Sequence, residues 1–231
     1  MTPCRVWVTR TRPEADATAA RLVAMGQEAV VAPVLEARAV AGVEIDLAGI
    51  DALAFSSGHA VAAFATMCPA RSLAVFTVGA ATAAKARAVG FAHVRSADGG
   101  ARGLAGLIAA ADRRPRCVLH PAALEPAADL VALLAERGVA GRAVIVYETL
   151  AVDLTDPPDA LDAILIHSAR GAEQVAALIG GRPHAHIDVF AISEAAAEPL
   201  RDLGFARVMA APFPNEAALL DLLEMTRRGS Q

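Results

Sequence analysis

DALAFSSGHAVAAFATM, residues 51–67, is the stretch that decides the fold. Its apolar run at 52–55 stops at Ser56-Ser57-Gly58, and a second apolar pattern then begins at Ala60. This spacing predicts a buried strand, a tight turn and a helix that opens on a small polar residue. Such a turn can cap the helix, and it can also leave backbone N–H groups that hold an anion.

The same pattern returns in the second half of the chain as DAILIHSARGAEQVAAL, residues 162–178. Two further pairs of segments match: LAVFTVGAATAAKARAVGF (73–91) with IDVFAISEAAAEPLRDLGF (187–205), and RVWVTRTRPEADATAARLVAMG (5–26) with RCVLHPAALEPAADLVALLAERG (116–138). The offset between partners stays between 111 and 114 residues. An ordered series at so constant an offset indicates an internal duplication, and a period of this length means two domains rather than a solenoid.

Each half alternates short apolar strands with helical patterns, which predicts parallel sheets covered by helices on both faces. We therefore predict an α/β fold of two similar doubly wound domains with about five strands each. Irregular, mildly extended segments at 34–46 and 147–160 mark the candidate boundaries. The predicted strands are 6–9, 29–32, 53–56, 75–78, 93–95, 118–120, 144–146, 163–167, 189–192 and 207–210.

The composition excludes several classes of protein. Hydrophobic residues make up 55% of the 231 residues, too many for a disordered chain. The net charge is −4, and no stretch concentrates Lys and Arg enough to suggest a nucleic-acid surface. We expect no signal peptide and no membrane span, since no uncharged apolar run approaches ~20 residues. Cys4, Cys68 and Cys117 lack CxxC spacing, which favours small core residues in a reducing cytoplasm.

Candidate binding residues follow from the predicted sheets, because ligands of open parallel sheets bind outside the carboxyl ends of the strands. Two facing domains would form a cleft lined by such turns. Helix N-termini there, together with Arg10, Arg12 and Arg170, would favour a ligand with several anionic groups. Each serine can instead be a simple N-cap, and each arginine a surface residue. The turns are 9–13, 56–59, 78–82, 120–122, 167–171 and 192–195.

The usual catalytic signatures are missing from the sequence. It has no GxSxG, HExxH or GxxxxGK[ST] motif, and its six histidines are dispersed, so we expect no metal site. The glycines at 99–106 lack the GxGxxG order and predict a flexible loop. Tyr147, the single tyrosine, is predicted at a strand end. Its phenol could donate a proton, or it could be a buried aromatic with a satisfied hydroxyl.

Taken together, these motifs resemble the uroporphyrinogen-III synthase family. The similarity rests on VTRTRPEADATAARLVAMGQEAVVAPV, FSSGHAV, VGAATAAKARAVGF, VLHPAALEPAADLVALLAERG, VYET and PFPNEAALLDLL, in the family's order and nearly end to end. The resemblance implies two flavodoxin-like domains joined by two extended linkers. Domain one would be 1–35 with 152–231, domain two 40–148, and the linkers about 36–39 and 149–151.

The resemblance also implies a function. Family members are lyases of tetrapyrrole and heme biosynthesis that close linear hydroxymethylbilane to uroporphyrinogen III. They expel water and invert ring D through a spiro intermediate. They use no metal or organic cofactor, and they are monomers whose partner is the linear tetrapyrrole. With the cysteine usage and composition described above, we expect a cytoplasmic protein with no nucleic-acid or membrane partner. The substrate carries eight carboxylates, which fits a cleft rich in helix starts.

Site residues can be assigned from the resemblance position by position. Tyr147 matches the tyrosine that assists departure of the hydroxyl, as a proton donor. Three segments depart from the family pattern: HSARG at 167–171, Ala195-Ala196 in place of threonines, and LHPAA at 119–123. The resemblance also carries over Ser56, Ser57, Thr82 and Ser168. Together with residues of the predicted turns, the expected substrate-binding residues are Arg10, Ser56, Ser57, Gly58, Thr82, Ser168, Arg170 and Ser193.

Two other functions fit the same residues. A non-enzymatic two-lobed binding or sensor protein for an anionic metabolite would show the same duplication and serine turns, and only turnover of hydroxymethylbilane separates it from a synthase. A nucleotide-dependent oxidoreductase or transferase would also use doubly wound sheets. The missing GxGxxG and P-loop motifs argue against it, and nucleotide binding would test it.

Overall fold

The computed structural model of the chain describes residues 3–97, 99–180 and 183–229. The chain divides into two compact units, Met1–Glu36 with Leu150–Gln231 as the first and Ala37–Thr149 as the second. Each unit contains one sheet and helices, so the predicted α/β class is confirmed. Within these ranges, no helix combines the length and the apolar character that crossing a bilayer requires.

Strands and helices alternate through most of the chain. The strands are β1 Arg5–Val8, β2 Glu28–Val31, β3 Leu35–Ala39, β4 Ala52–Phe55, β5 Ala74–Thr77, β6 Val94–Ser96, β7 Cys117–Ala123, β8 Ala140–Ala151, β9 Ala163–Ile166, β10 Asp188–Ala191 and β11 Arg207–Ala210. The helices are α1 Glu14–Ala24, α2 Gly58–Met67, α3 Ala80–Ala88, α4 Gly100–Ala109, α5 Leu130–Ala135, α6 Ala169–Ile179, α7 Glu194–Ala197 and α8 Glu216–Gly229, with a 3-10 helix at Glu198–Leu203.

The two sheets repeat one strand order. The first unit has β2-β1-β9-β10-β11, and the second has β8-β7-β4-β5-β6 with β3 added outside β8. In the internal duplication, β7 corresponds to β1 and β8 to β2. In the same way, β4, β5 and β6 correspond to β9, β10 and β11. The two orders are then the same, and both follow the 2-1-3-4-5 pattern of flavodoxin-like sheets.

In the first unit, alternate residues along each strand feed two separate cores. Trp7, Ile164 and Val189 point to one face and pack with α6 and α7. Val6, Leu165 and Phe190 point to the other face and pack with α1 and α8. Because both faces are covered, the central strand β9 is buried at every position, which explains its unbroken apolar run AILI.

The second unit is built in the same way. One face of its sheet carries Leu53, Phe55 and Val75, which pack against α2 and α3. The other face carries Ala54, Phe76 and Val118, which pack against α4 and α5. The doubly wound arrangement predicted from the sequence is therefore present in both units.

The segments predicted to connect the two domains lie in strands. β3 includes all of 36–39, and β8, which is 12 residues long, includes 149–151. The irregular backbone predicted more widely, at 34–46 and 147–160, is therefore partly wrong. β3 lies at the sheet edge and reads LEARA, mostly partly or fully exposed. Edge strands commonly carry charged residues, so this sequence lacks the apolar run by which the other strands were found.

The predicted turn at 120–122 is also wrong, because these residues lie inside β7. Proline is uncommon inside a sheet, since it has no N–H to donate. The ladder between β7 and β4 runs only from Val118 to Leu119, so Pro121 does not interrupt it. His120 is consequently a buried strand residue, with Nδ1 at 2.9 Å from the carbonyl oxygen of Ala54.

Arg71 ties the end of α2 to the end of α3. Its guanidinium donates to the carbonyl oxygens of Ala65, Cys68, Ala70 and Val89 at 2.6–3.1 Å. It also lies 5.0 Å from the centre of the Phe91 ring. The last carbonyls of a helix lack partners inside the helix and favour a cation, so one side chain satisfies several acceptors here.

We expect Arg71→Met to lower the free energy of unfolding by about 2–3 kcal/mol, because it removes charge-assisted hydrogen bonds while keeping an apolar stem. Urea unfolding at pH 7 measures the change. Arg113→Met is the matched control, since Arg113 is exposed on the same unit. Equal stability of the two variants would show that the carbonyls of α2 find water just as well.

Candidate functional site

The first unit gathers the predicted binding residues at one edge of its sheet. β1, β9 and β10 are adjacent and parallel, so their carboxyl ends lie along the same edge. The residues that follow these ends are Arg10, His167, Ser168 and Ser193, and Arg170 lies in the first turn of α6. Thr9 is buried beside them, and its hydroxyl donates to the carbonyl oxygen of Leu165 at 2.6 Å.

Three of the predicted serines, Ser57, Ser168 and Ser193, are helix N-caps. Ser57 Oγ accepts from the backbone N–H of His59 at 3.1 Å, and Ser168 Oγ accepts from that of Gly171 at 3.1 Å. Ser193 caps α7 in the same way, at 3.3 Å. Each cap uses one N–H of its helix start, whereas the first turn of a helix carries four such groups without intrahelical partners. Capping therefore leaves room for an anion at the same helix starts.

Arg10 is held by a carboxylate that lies far from it in the sequence. Glu216 Oε2 is 3.5 Å from Arg10 Nη1, and the same carboxylate contacts Thr18 and Arg21. Burial lowers the pKa of the Arg10 guanidinium, and the Glu216 charge opposes that shift. An anion that binds Arg10 must therefore share it with Glu216. Glu216 was not among the predicted site residues, because no local pattern links residue 216 to residue 10.

His167 differs from the other residues at this edge because its buried imidazole lacks hydrogen-bond partners among the described residues. Both of its ring nitrogens are buried without a hydrogen-bond partner among the described residues. Burial, reinforced by the positive charge of Arg10, lowers the pKa of the imidazole from 6.5 to about 3. The ring is consequently neutral at pH 7. His167 belongs to the HSARG turn named from the sequence, but only the structure shows how deeply its ring is buried.

The second unit presents its own predicted residues at the carboxyl ends of β4 and β5. Ser56 is exposed directly after β4, and Ser57 and Gly58 open α2. Thr82 lies inside the first turn of α3 with only 7% of its surface exposed, and Gly79 is the N-cap of that helix. The Thr82 side chain is therefore part of the helix packing rather than of the open turn.

Tyr147 lies within β8 rather than at a strand end, which corrects the sequence-based position. It pairs with Ala123, the last residue of β7, directly after a β-bulge that shifts the register between Ala122 and Ala123. The extra residue of this bulge, Val146, lies in β8. A bulge turns the following side chains in a new direction. The Tyr147 ring is half-buried against the core that lies under α2 and α3.

A cavity of about 200 Å³ opens beside Tyr147 in the second unit. Its polar lining comes from His59, Thr66 and Tyr147. The rest of the wall is alanine methyl groups, from Ala37, Ala39, Ala62 and Ala63. The centres of the His59 and Tyr147 rings are 5.8 Å apart, and the two planes meet at 44°.

The two alanines that stand in place of the expected threonines lie in a short, capped helix. Ala195 and Ala196 lie in α7, whose cap is still Ser193. α7 is only four residues long and passes into the 3-10 helix at Glu198–Leu203.

Over the part of the chain that the structure describes, no group of three or more His, Cys, Asp or Glu side chains is placed to hold a metal ion.

One protein-family model matches most of the chain. The model described as uroporphyrinogen-III synthase HemD aligns with residues 16–221. No curated protein matches the chain significantly.

Solved structures with the same fold include two that align almost end to end. Uroporphyrinogen-III synthetase from Helicobacter pylori 26695 is 18% identical with a TM-score of 0.69, over 97% of this chain and 100% of that chain. A mutant uroporphyrinogen III synthase from Thermus thermophilus is 18% identical with a TM-score of 0.53, over 97% of this chain and 98% of that chain. At this identity, the likeness shows the shared fold.

His167 predicts that acid destabilises the protein. The pKa of His167 is about 3 in the folded chain and near 6.5 when the ring is exposed. Between these two pH values, the unfolded chain binds a proton at His167 and the folded chain does not. The free energy of unfolding should fall as the pH falls from 6.5, by at most about 1.4 kcal/mol per pH unit for this group. The pKa of buried His120 is also lowered, chiefly by burial, and acts in the same direction.

Urea unfolding of His167→Phe and the unaltered protein between about pH 7.5 and 5 measures this effect. The variant should show a shallower dependence on pH, because phenylalanine takes up no proton in either state. Parallel curves for the two proteins would mean that the His167 ring does not stay buried and neutral in solution.

Proposed function

The chain belongs to the uroporphyrinogen-III synthase family, and we propose that it closes hydroxymethylbilane to uroporphyrinogen III with loss of water and inversion of ring D. The observation that carries this proposal is the family match over residues 16–221. It confirms the resemblance found in the sequence motifs. The reaction makes the protein an enzyme of tetrapyrrole biosynthesis, and we assign it to the lyases, as a hydro-lyase.

The substrate that this family acts on carries eight carboxylates, and the helix starts of both units suit such an anion. In the first unit, Ser168, Arg170 and Ser193 stand at helix N-termini beside Arg10. In the second unit, Gly58 begins α2, Ser57 is its N-cap, and Ser56 lies just before the cap. We propose that these residues bind the acetate and propionate arms through backbone N–H groups, hydroxyls and guanidinium groups. Buried Thr82 would act by holding the start of α3.

Tyr147 is our candidate for assisting the chemistry. The pyrrole nitrogen supplies the electron pair that expels the hydroxyl of the hydroxymethyl group, and the Tyr147 phenol gives that oxygen a proton so that it leaves as water. Ring closure then releases a proton from a pyrrole carbon, which restores the phenol. Because the pyrrole itself drives the departure, the phenol needs to lower the barrier only modestly.

The main task of the enzyme is then to hold one conformation of a flexible substrate. Holding reacting groups in place can remove many kcal/mol from a barrier without any unusual side chain. This fits an edge built from helix caps and backbone groups. We further propose that the two compact units are the two domains, near 1–35 with 152–231 and 40–148. We propose that the enzyme works as a cytoplasmic monomer without a metal or organic cofactor.

With hydroxymethylbilane as the substrate, the protein should direct product formation toward the type III isomer. Spontaneous closure gives type I, so chromatographic separation of the oxidised products, with and without protein, measures the effect. Heat-denatured protein is the control. Production of type I alone at the uncatalysed rate by folded protein would reject the synthase proposal and favour a binding or sensor protein for an anionic metabolite.

Tyr147→Phe should slow turnover by about 100-fold or less without abolishing it, because a general acid typically contributes about 10²–10⁴-fold and this leaving group departs readily. Initial rates of type III formation measure the change, with circular dichroism to show that the variant is folded. Complete loss of activity in a folded variant would mean that Tyr147 does far more of the chemistry than proposed.

A further inference from the structure

His59 lies between a predicted substrate-binding residue and the proposed proton donor. It is the second residue of α2, and its backbone N–H donates to Ser57 Oγ at 3.1 Å. Its ring centre lies 5.8 Å from that of Tyr147. The N-cap thus fixes the backbone from which the imidazole projects, and the imidazole contacts the phenol ring.

Tyr147 packs against the core under α2 and α3, and it also lines the cavity of about 200 Å³. The other side chains that line this cavity are mainly alanines. Alanine methyl groups are too short to hold the part of the ring that borders the open space. Among the described residues that line this cavity, His59 is the one aromatic ring besides Tyr147 itself.

We propose that His59 is a positioning residue for Tyr147, which it holds by ring contact so that the phenol hydroxyl faces one direction. A tilted contact at this separation is a favourable geometry for two aromatic rings. A proton donor works only within hydrogen-bond reach of its acceptor, so fixing the phenol raises the rate without any new chemistry. The inference rests on the proposed role of Tyr147 and adds the residue that supports it.

The contact can be observed without any enzymatic activity. Tyr147 is the single tyrosine of the chain, so fluorotyrosine labelling gives one fluorine resonance from this ring. His59→Ala should shift and sharpen that resonance as the ring gains freedom, whereas His59→Phe should change it little. His93→Ala is the matched control, because it makes the same substitution at an exposed histidine of the same unit.

Kinetics then test whether the contact matters for the reaction. His59→Ala should lower kcat by about ten-fold with little change in KM, and His59→Phe should keep most of the rate because it keeps a flat ring. The combined His59→Ala, Tyr147→Phe variant should be no more than about two-fold slower than Tyr147→Phe alone, because both changes act through one hydroxyl.

The outcomes separate this inference from the proposed function. If the unaltered protein gives no type III isomer, the proposed function fails, and the fluorine resonance still decides whether His59 holds the ring. If the protein is active but the rate losses of the two single variants multiply in the double variant, His59 does not act through Tyr147. An unshifted resonance in His59→Ala, or a His59→Phe variant as slow as His59→Ala, would also overturn the inference.

Discussion

The parallel direction of the strands is the constraint on which the site depends. The five strands that the two sheets have in common run parallel to their neighbours in each unit, so their carboxyl ends fall on one edge. Each of those ends leads into a turn, and most of the turns begin a helix. Backbone N–H groups therefore accumulate at one edge of each sheet, and a site for a polyanion needs few specialised side chains.

Much of this arrangement could be predicted from the sequence, because it depends on local patterns. Apolar runs such as AILI located the buried strands, and the serines that follow two of them located helix caps at Ser57 and Ser168. The duplication supplied an independent check on each assignment, since every predicted strand had a partner at a nearly constant offset.

The predictions failed where a residue's surroundings come from distant parts of the chain. β3 could not be found because an exposed edge strand shows no apolar run. The turn predicted at 120–122 was wrong, because only the sheet register shows that Pro121 lies beyond the ladder between β7 and β4. The contacts between Arg10 and Glu216 and between His59 and Tyr147 join residues with no shared local pattern. One sequence alone gives the residue types at such a site but not their partners.

The strand order also constrains how the protein is made. β1 lies between β2 and β9, and Val6 pairs with Ala163. On the ribosome, the first strand, helix and strand therefore emerge long before the rest of their sheet exists. The unit Ala37–Thr149 is completely synthesised before β9 is, so it can fold first. The amino-terminal segment must wait, with β1 lacking one neighbour, until β9 at Ala163–Ile166 has left the ribosome. During this period β1 has an unpaired edge to which chaperones or other strands can bind.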